Sequence, residues 1–199
     1  MIKRIFAVSL ACLLFFGVIS ISSIRATPRQ QAISGHPRLW VRAQDLPRLR
    51  SWAVDSNPMY RDGLAILAAN AKAAMDNNLV PDTDSGGIAW EQYPTEMYAM
   101  LFAFMSLIEN NQATRDDYAQ RARTLLMAVM NEAAQGEAPG QPFRDRDFSI
   151  DDRARWWGEG FALTVDWIYP YLTTQDKATI RQVFLRWANE NRTAISPQT

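Results

Sequence analysis

Residues 149–191 read SIDDRARWWGEGFALTVDWIYPYLTTQDKATIRQVFLRWANEN, and the fold is decided by this stretch. It reads as two helices joined by a tight turn at Pro170, and it is loaded with aromatics: Trp156, Trp157, Phe161, Trp167, Tyr169, Tyr171, Phe184 and Trp187. Ser149 with Asp152, and Thr173 with Asp176, have the spacing of capping boxes with aspartate in place of glutamate, which predicts a helix start at each. Ile180, Phe184 and Trp187 recur at helical spacing and give the second helix its apolar face.

Upstream lies a weaker version of the same unit. Met97, Met100, Leu101, Phe104, Met105 and Ile108 mark one helix, which Phe102 and Leu107 make apolar so far around that deep burial is expected. After a turn at 110–113, Thr114 with Asp117 predicts the start of a partner helix. That helix runs through Tyr118, Ala122, Leu125, Leu126, Val129 and Met130 to about Ala134, with Gly136 suited to its C-terminal cap. The two hairpins begin about 55 residues apart, near Thr95 and Ser149, and look like one supersecondary unit used twice. Earlier still, Asp45 to Val54 predicts a short helix with Pro47 in its first turn, and Asn57-Pro58 opens a further helix ending at Asn77-Asn78. No strand-period run of useful length follows Val41. The expected class is all-α, built of antiparallel helical hairpins with short connections.

The first residues bear on compartment. Lys3 and Arg4 precede an uncharged apolar run from Ile5 to Ile24. This is the pattern of a secretory signal, with a cleavage site after Ala26; a retained membrane anchor through residues 5–24 is the alternative. Either way the remainder is expected outside the cytoplasm: secreted, periplasmic or on the cell surface. The organisation expected is a signal or anchor at 1–26, a flexible leader at 27–34 and a helical domain at 35–199. Cys12, the sole cysteine, lies within the signal, so the mature chain has no disulfide framework and no thiolate chemistry. Removing residues 1–26 takes away Lys3, Arg4 and Arg25 and no acid, leaving a net charge of −3, which argues against a nucleic-acid partner. Only Lys3, Lys72 and Lys177 among 21 basic residues are lysines; arginine forks carboxylates, so an acidic-sugar ligand fits, as does a plain compositional bias.

Two sets of residues now point to a family. The string Gly35-His36-Pro37-Arg38-Leu39-Trp40, then Asp45-Leu46-Pro47-Arg48-Leu49 and Asn57-Pro58-Met59-Tyr60, resembles the beginning of heparinase II/III-like and alginate-lyase-like proteins. Ala162-Leu163-Thr164-Val165-Asp166-Trp167-Ile168-Tyr169, followed by Leu172-Thr173, is similar to their second-half hairpin, with Val165 standing where tyrosine is common. The resemblance covers roughly residues 35–190. It implies part of an (α/α) toroid, an incomplete barrel with a cleft for an anionic polysaccharide. It also implies β-elimination at uronates: a base removes the proton beside the carboxyl group and an acid assists the leaving oxygen. Family members are longer and carry their catalytic groups further along, so this chain is expected to hold only the first helices of the toroid.

Candidate residues follow, each with a structural alternative. His36, the sole histidine, is a possible base, but it sits before Pro37 in the N-terminal segment. Glu159 and Asp166 are seven apart on one helix and could form a glycosidase pair; the alternative is a buried carboxylate that bonds a neighbouring turn. Gly158 and Gly160 flank Glu159 and suggest close packing or a ligand's approach. Trp156 and Trp157 point about 100° apart, so they cannot share one narrow face: one is expected in the core and the other, taken as Trp156, could stack on a sugar, the alternative being that both are core. Trp90 and Tyr93, before a helix, are better placed for a cleft. Arg146 and Arg155 belong to a segment of four arginines and four aspartates; they could meet uronates or pair locally. One histidine and no mature cysteine make a zinc site improbable, and no cofactor is expected. Competing readings are a toroid glycoside hydrolase and a non-catalytic helical carbohydrate-binding or scaffold domain.

Overall fold

Ala68, Ala71 and Ala74 lie buried along one stripe of a helix, and this smallness lets the first long helix close onto its neighbour. A computed structural model describes residues 35–84, 87–150 and 152–194, without the side chains of 147, 152, 155, 156 and 194. The expected signal and leader, 1–34, lie outside the described residues. Among those described there is no strand; the fold is all-α. No helix among them is long and apolar enough to cross a membrane.

The elements are α1 (Leu46–Trp52), α2 (Ala65–Asp76), α3 (Ile88–Gln92), α4 (Thr95–Ile108), α5 (Gln112–Ala133), α6 (Asp152–Trp157), α7 (Glu159–Trp167) and α8 (Thr174–Ala194). A π-turn at Tyr60–Leu64 leads into α2. Asn57 Oδ1 accepts the Met59 amide at 3.1 Å, satisfying one of the orphan donors of that start. α2 packs on α4, α4 packs along α5 and α7, and α8 packs on α5; no substantial packing joins α2 to α7 or α8.

Several local readings change. The partner helix α5 begins at Gln112 rather than Thr114, because Asn111 caps it by accepting the Thr114 amide at 3.1 Å. Asp117 instead reaches Lys72 at 3.0 Å and Arg121 at 3.2 Å, tying α2 to α5. The single helix expected from Ser149 to Tyr169 is broken at Gly158 into α6 and α7, with 3₁₀ turns at Arg146–Ser149 and Tyr169–Tyr171. The Thr173–Asp176 capping box is formed reciprocally: Asp176 Oδ2 accepts the Thr173 amide at 2.8 Å and Thr173 Oγ1 accepts the Asp176 amide at 3.1 Å. Gly136, just past α5, takes φ +93°, the left-handed geometry that favours glycine.

α4 is the central helix, and its buried stripe is only partly the expected one: Met105 and Ile108 are buried, as are Phe102 and Leu107, but the stripe then turns away from the other marked residues. Met97, Met100, Leu101 and Phe104 are half-buried, whereas Thr95, Glu96, Ala99, Phe102, Ala103 and Ser106 are buried. α7 comes so close that a Cβ on Gly160 would sit 2.9 Å from the Glu96 carbonyl oxygen. A helix placed between two others needs small residues on its contact faces, and it keeps polar groups there only if they are paired.

Candidate functional site

Polar side chains buried in this core carry the organisation of the site. Arg153, on α6, is 2% exposed. Its guanidinium forks Glu96 of α4 (Nε to Oε1 2.7 Å, Nη2 to Oε2 2.8 Å) and Asp82 of the α2–α3 loop (Nη1 to Oδ1 3.0 Å, Nη2 to Oδ2 2.8 Å). Nη1 also donates to the Asp84 carbonyl at 2.9 Å, so all five N–H groups are used. Asp82 Oδ2 further accepts the Thr95 amide at 3.1 Å and hydroxyl at 2.5 Å. Burial alone would lower the Arg153 pKa; the bonds and charges of Glu96 and Asp82 outweigh it and hold the group above arginine's ordinary value. The guanidinium lies 4.5 Å from the Phe143 ring centre and 5.5 Å from that of Trp90. Asp84 in turn caps α3 through the Ala89 and Trp90 amides, each at 2.9 Å. One arginine thus fixes the loop 81–84, the start of α3 and the start of α4.

That loop forms one wall of a cleft of about 290 Å³. Pro81, Asp82 and Thr83 face Gln141, Pro142 and Phe143 across a floor that includes Val129 and Glu132 of α5. Phe143 is buried and left-handed, φ +57°, which costs a bulky residue about 1–3 kcal/mol. It is held there because its carbonyl accepts Arg186 Nη2 at 2.8 Å and Trp187 Nε1 at 3.3 Å, and its ring meets Phe148 and Phe161 edge-on. Glu132 is half-buried in the cleft, and burial pushes its carboxyl pKa up against the opposing pull of Arg144 and Arg153. A carboxyl with a raised pKa beside a strained wall residue is the arrangement in the described residues that most suits chemistry.

Asp166 does something else. It is 3% exposed on α7 and grips the N-terminal segment: Oδ1 accepts His36 Nδ1 at 2.5 Å, and Oδ2 accepts the Arg38 and Leu39 amides at 2.7 and 2.8 Å. Trp167 Nε1 donates to the Leu39 carbonyl at 3.0 Å. The His36 ring stacks on Tyr169 with centroids 3.9 Å apart, and Lys177 Nζ stands over the same ring, 4.0 Å from its centre.

The remaining sequence-selected residues are dispersed. Glu159 is exposed at the start of α7, while Asp166 points inward near its end, so the two carboxylates share a helix but not an environment. Trp90 is half-buried under Arg153, and its Nε1 is buried without a hydrogen-bond acceptor. Tyr93 is half-buried, tilted against Tyr98 at 6.3 Å. Arg146 is exposed. The side chains of Trp156 and Arg155 lie outside those described. The Arg144–Arg155 segment does not simply pair with itself: Arg144 donates to the Gly136 carbonyl at 2.9 Å, and Arg153 reaches back 57 and 71 residues. No cluster of three or more metal-ligating side chains occurs among the described residues.

Sequence reading missed Arg153 and Glu132. Arg153 was one arginine in a charge-alternating run, and Glu132 one acid on an amphipathic helix; only the return of the 81–84 loop gives either its meaning. Known protein families, curated proteins and solved structures offer no match to the chain.

Proposed function

We propose that this is an exported, polysaccharide lyase-like protein that binds uronate-containing polysaccharide, its helices forming part of an (α/α) toroid. One observation carries the reading. The two stretches on which the family resemblance rests, His36-Pro37-Arg38-Leu39 and Asp166-Trp167, bond directly to each other across about 130 positions. Motifs that were short and separately weak therefore act as a single structural lock, which is what a shared fold requires of them. The cleft at Glu132 supplies a place for one sugar ring between proline and phenylalanine walls, near the lower end of the usual ligand-pocket range of about 300–1,000 Å³.

In this reading Glu132 is the proton acceptor. It takes the proton beside the uronate carboxyl group, the electron pair forms the new carbon–carbon double bond, and the glycosidic oxygen leaves with a proton from a second acid or water. The test has two arms. Gel electrophoresis through alginate, polygalacturonate or heparin should retard the protein, and a neutral glucan should not. Incubation with the retained polymer should release unsaturated, ultraviolet-absorbing ends, and E132Q should retain binding while losing at least about 100-fold of that release. Unretarded migration through every polyuronate overturns the binding reading; product release unchanged in E132Q overturns the role of Glu132.

A further inference from the structure

We infer that the groove between α7 and α8 receives helix α2 of a second copy of this chain, so that copies join head to tail. The groove is lined by Phe161 and Val165 of α7 and by Ile180, Phe184, Leu185 and Trp187 of α8. It contains two hollows of about 270 and 470 Å³ that meet at Phe184. Leu185 stands 61% exposed. From Lys177 to Asn191 the groove is 14 residues of helix long, about 21 Å. It is shaped for another helix.

The complementary ridge lies elsewhere on the same chain. α2 and the turn before it bury their alanine stripe against α4 but expose Met59 (82%), Ile66 and Leu67 (55%), with Ala69 and Ala73 beyond. Met59 to Ala73 is also 14 residues, about 21 Å. The small residues at the far end of this ridge suit the aromatic end of the groove, where Phe184 and Trp187 fill space. Charge sets the direction. Lys177 and Arg181 line the near end of the groove, and no ion pair engages either among the described residues. Asp55 and Asp62 stand exposed where the α2 ridge begins; Arg61 forks both oxygens of Asp62 at 2.6 Å, so these three residues together carry one net negative charge to face Lys177 and Arg181. Laid with that end towards Lys177, the ridge places acid against base and apolar against apolar.

Because α2 does not pack on α7 or α8 within one chain, both surfaces remain open after each contact. The contact is heterologous, and it propagates into a ring or a filament rather than closing as a two-fold dimer.

The test exploits this asymmetry. The full chain should show a concentration-dependent mass above the monomer in light scattering and sedimentation. L67D damages only the ridge and L185D only the groove; both residues are exposed, so both variants should fold with unchanged circular dichroism. Each alone should associate roughly 10–100-fold more weakly, the expectation for losing one buried leucine. An equimolar mixture of the two should form a one-to-one heterodimer and nothing larger, since it retains one intact groove and one intact ridge. A monomeric wild type at high micromolar concentration overturns the inference. So does assembly indifferent to both substitutions, which would place the contact elsewhere, or a mixture that stays monomeric, which would make the interface isologous.

Discussion

Replacing Arg153 by methionine removes the one cation shared by two buried carboxylates. The Asp82 and Glu96 side chains are 0% and 1% exposed, so neither can turn to water when the guanidinium goes. Breaking one buried ion pair by deleting a partner costs about 3–5 kcal/mol. Here one deletion strands two anions, but Asp82 keeps the Thr95 amide and hydroxyl as donors, so R153M should lose about 4–5 kcal/mol. For a domain of this size that is a fall of roughly 8–20 °C in melting temperature. Urea unfolding followed by tryptophan fluorescence and circular dichroism measures it. The same physics predicts that removing the stranded anion helps. The double variant R153M/E96M should be more stable than R153M by about 2 kcal/mol, a non-additivity of the kind that contacting groups show. R153M within about 1 kcal/mol of wild type, or strictly additive effects in the cycle, would refute the claim that this triad holds loop 81–84, α4 and α6 together.

Two further outcomes are expected. D166A strands the His36 Nδ1–H and the Arg38 and Leu39 amides; stability should fall by about 2–4 kcal/mol, and amide hydrogen exchange at Arg38 and Leu39 should accelerate, with unchanged protection counting against the lock. Glu190 is buried beside Arg186, and burial raises its pKa above the ordinary glutamate value of 4.5 despite that neighbour. The folded state therefore holds this proton more tightly than the unfolded state, so the contribution of Glu190 is greatest in acid and declines as pH rises from about 4.5 towards neutrality. E190Q should flatten the stability–pH curve over that window, and an identical slope in the two proteins would contradict it.

The chain alone determined a good deal. Helical spacing and capping residues marked α1, α2, α4, α5 and α8, since those signals act within a turn or two and need no partner. The Thr173–Asp176 box worked as written because both of its members belong to the same turn. Where the sequence misled, another group, near or distant, had taken over. Asn111 supplanted Thr114 as a cap, and Asp117 was drawn to Lys72 on α2. Gly158 broke α6 from α7, and the buried stripe of α4 kept Met105 and Ile108 but followed its small residues and paired polar groups rather than Met97, Met100, Leu101 and Phe104. Tertiary structure alone decided the site. Arg153, Asp82 and Glu96 are unremarkable as letters, and so are Glu132 and Phe143. A carboxylate's meaning depends on what excludes water from it and which charge faces it, and both are settled by segments 57 and 71 residues apart meeting in the core. Periodicity can foresee a helix because its energetics are local; it cannot foresee a cleft, whose walls are contributed by parts of the chain that touch only after folding.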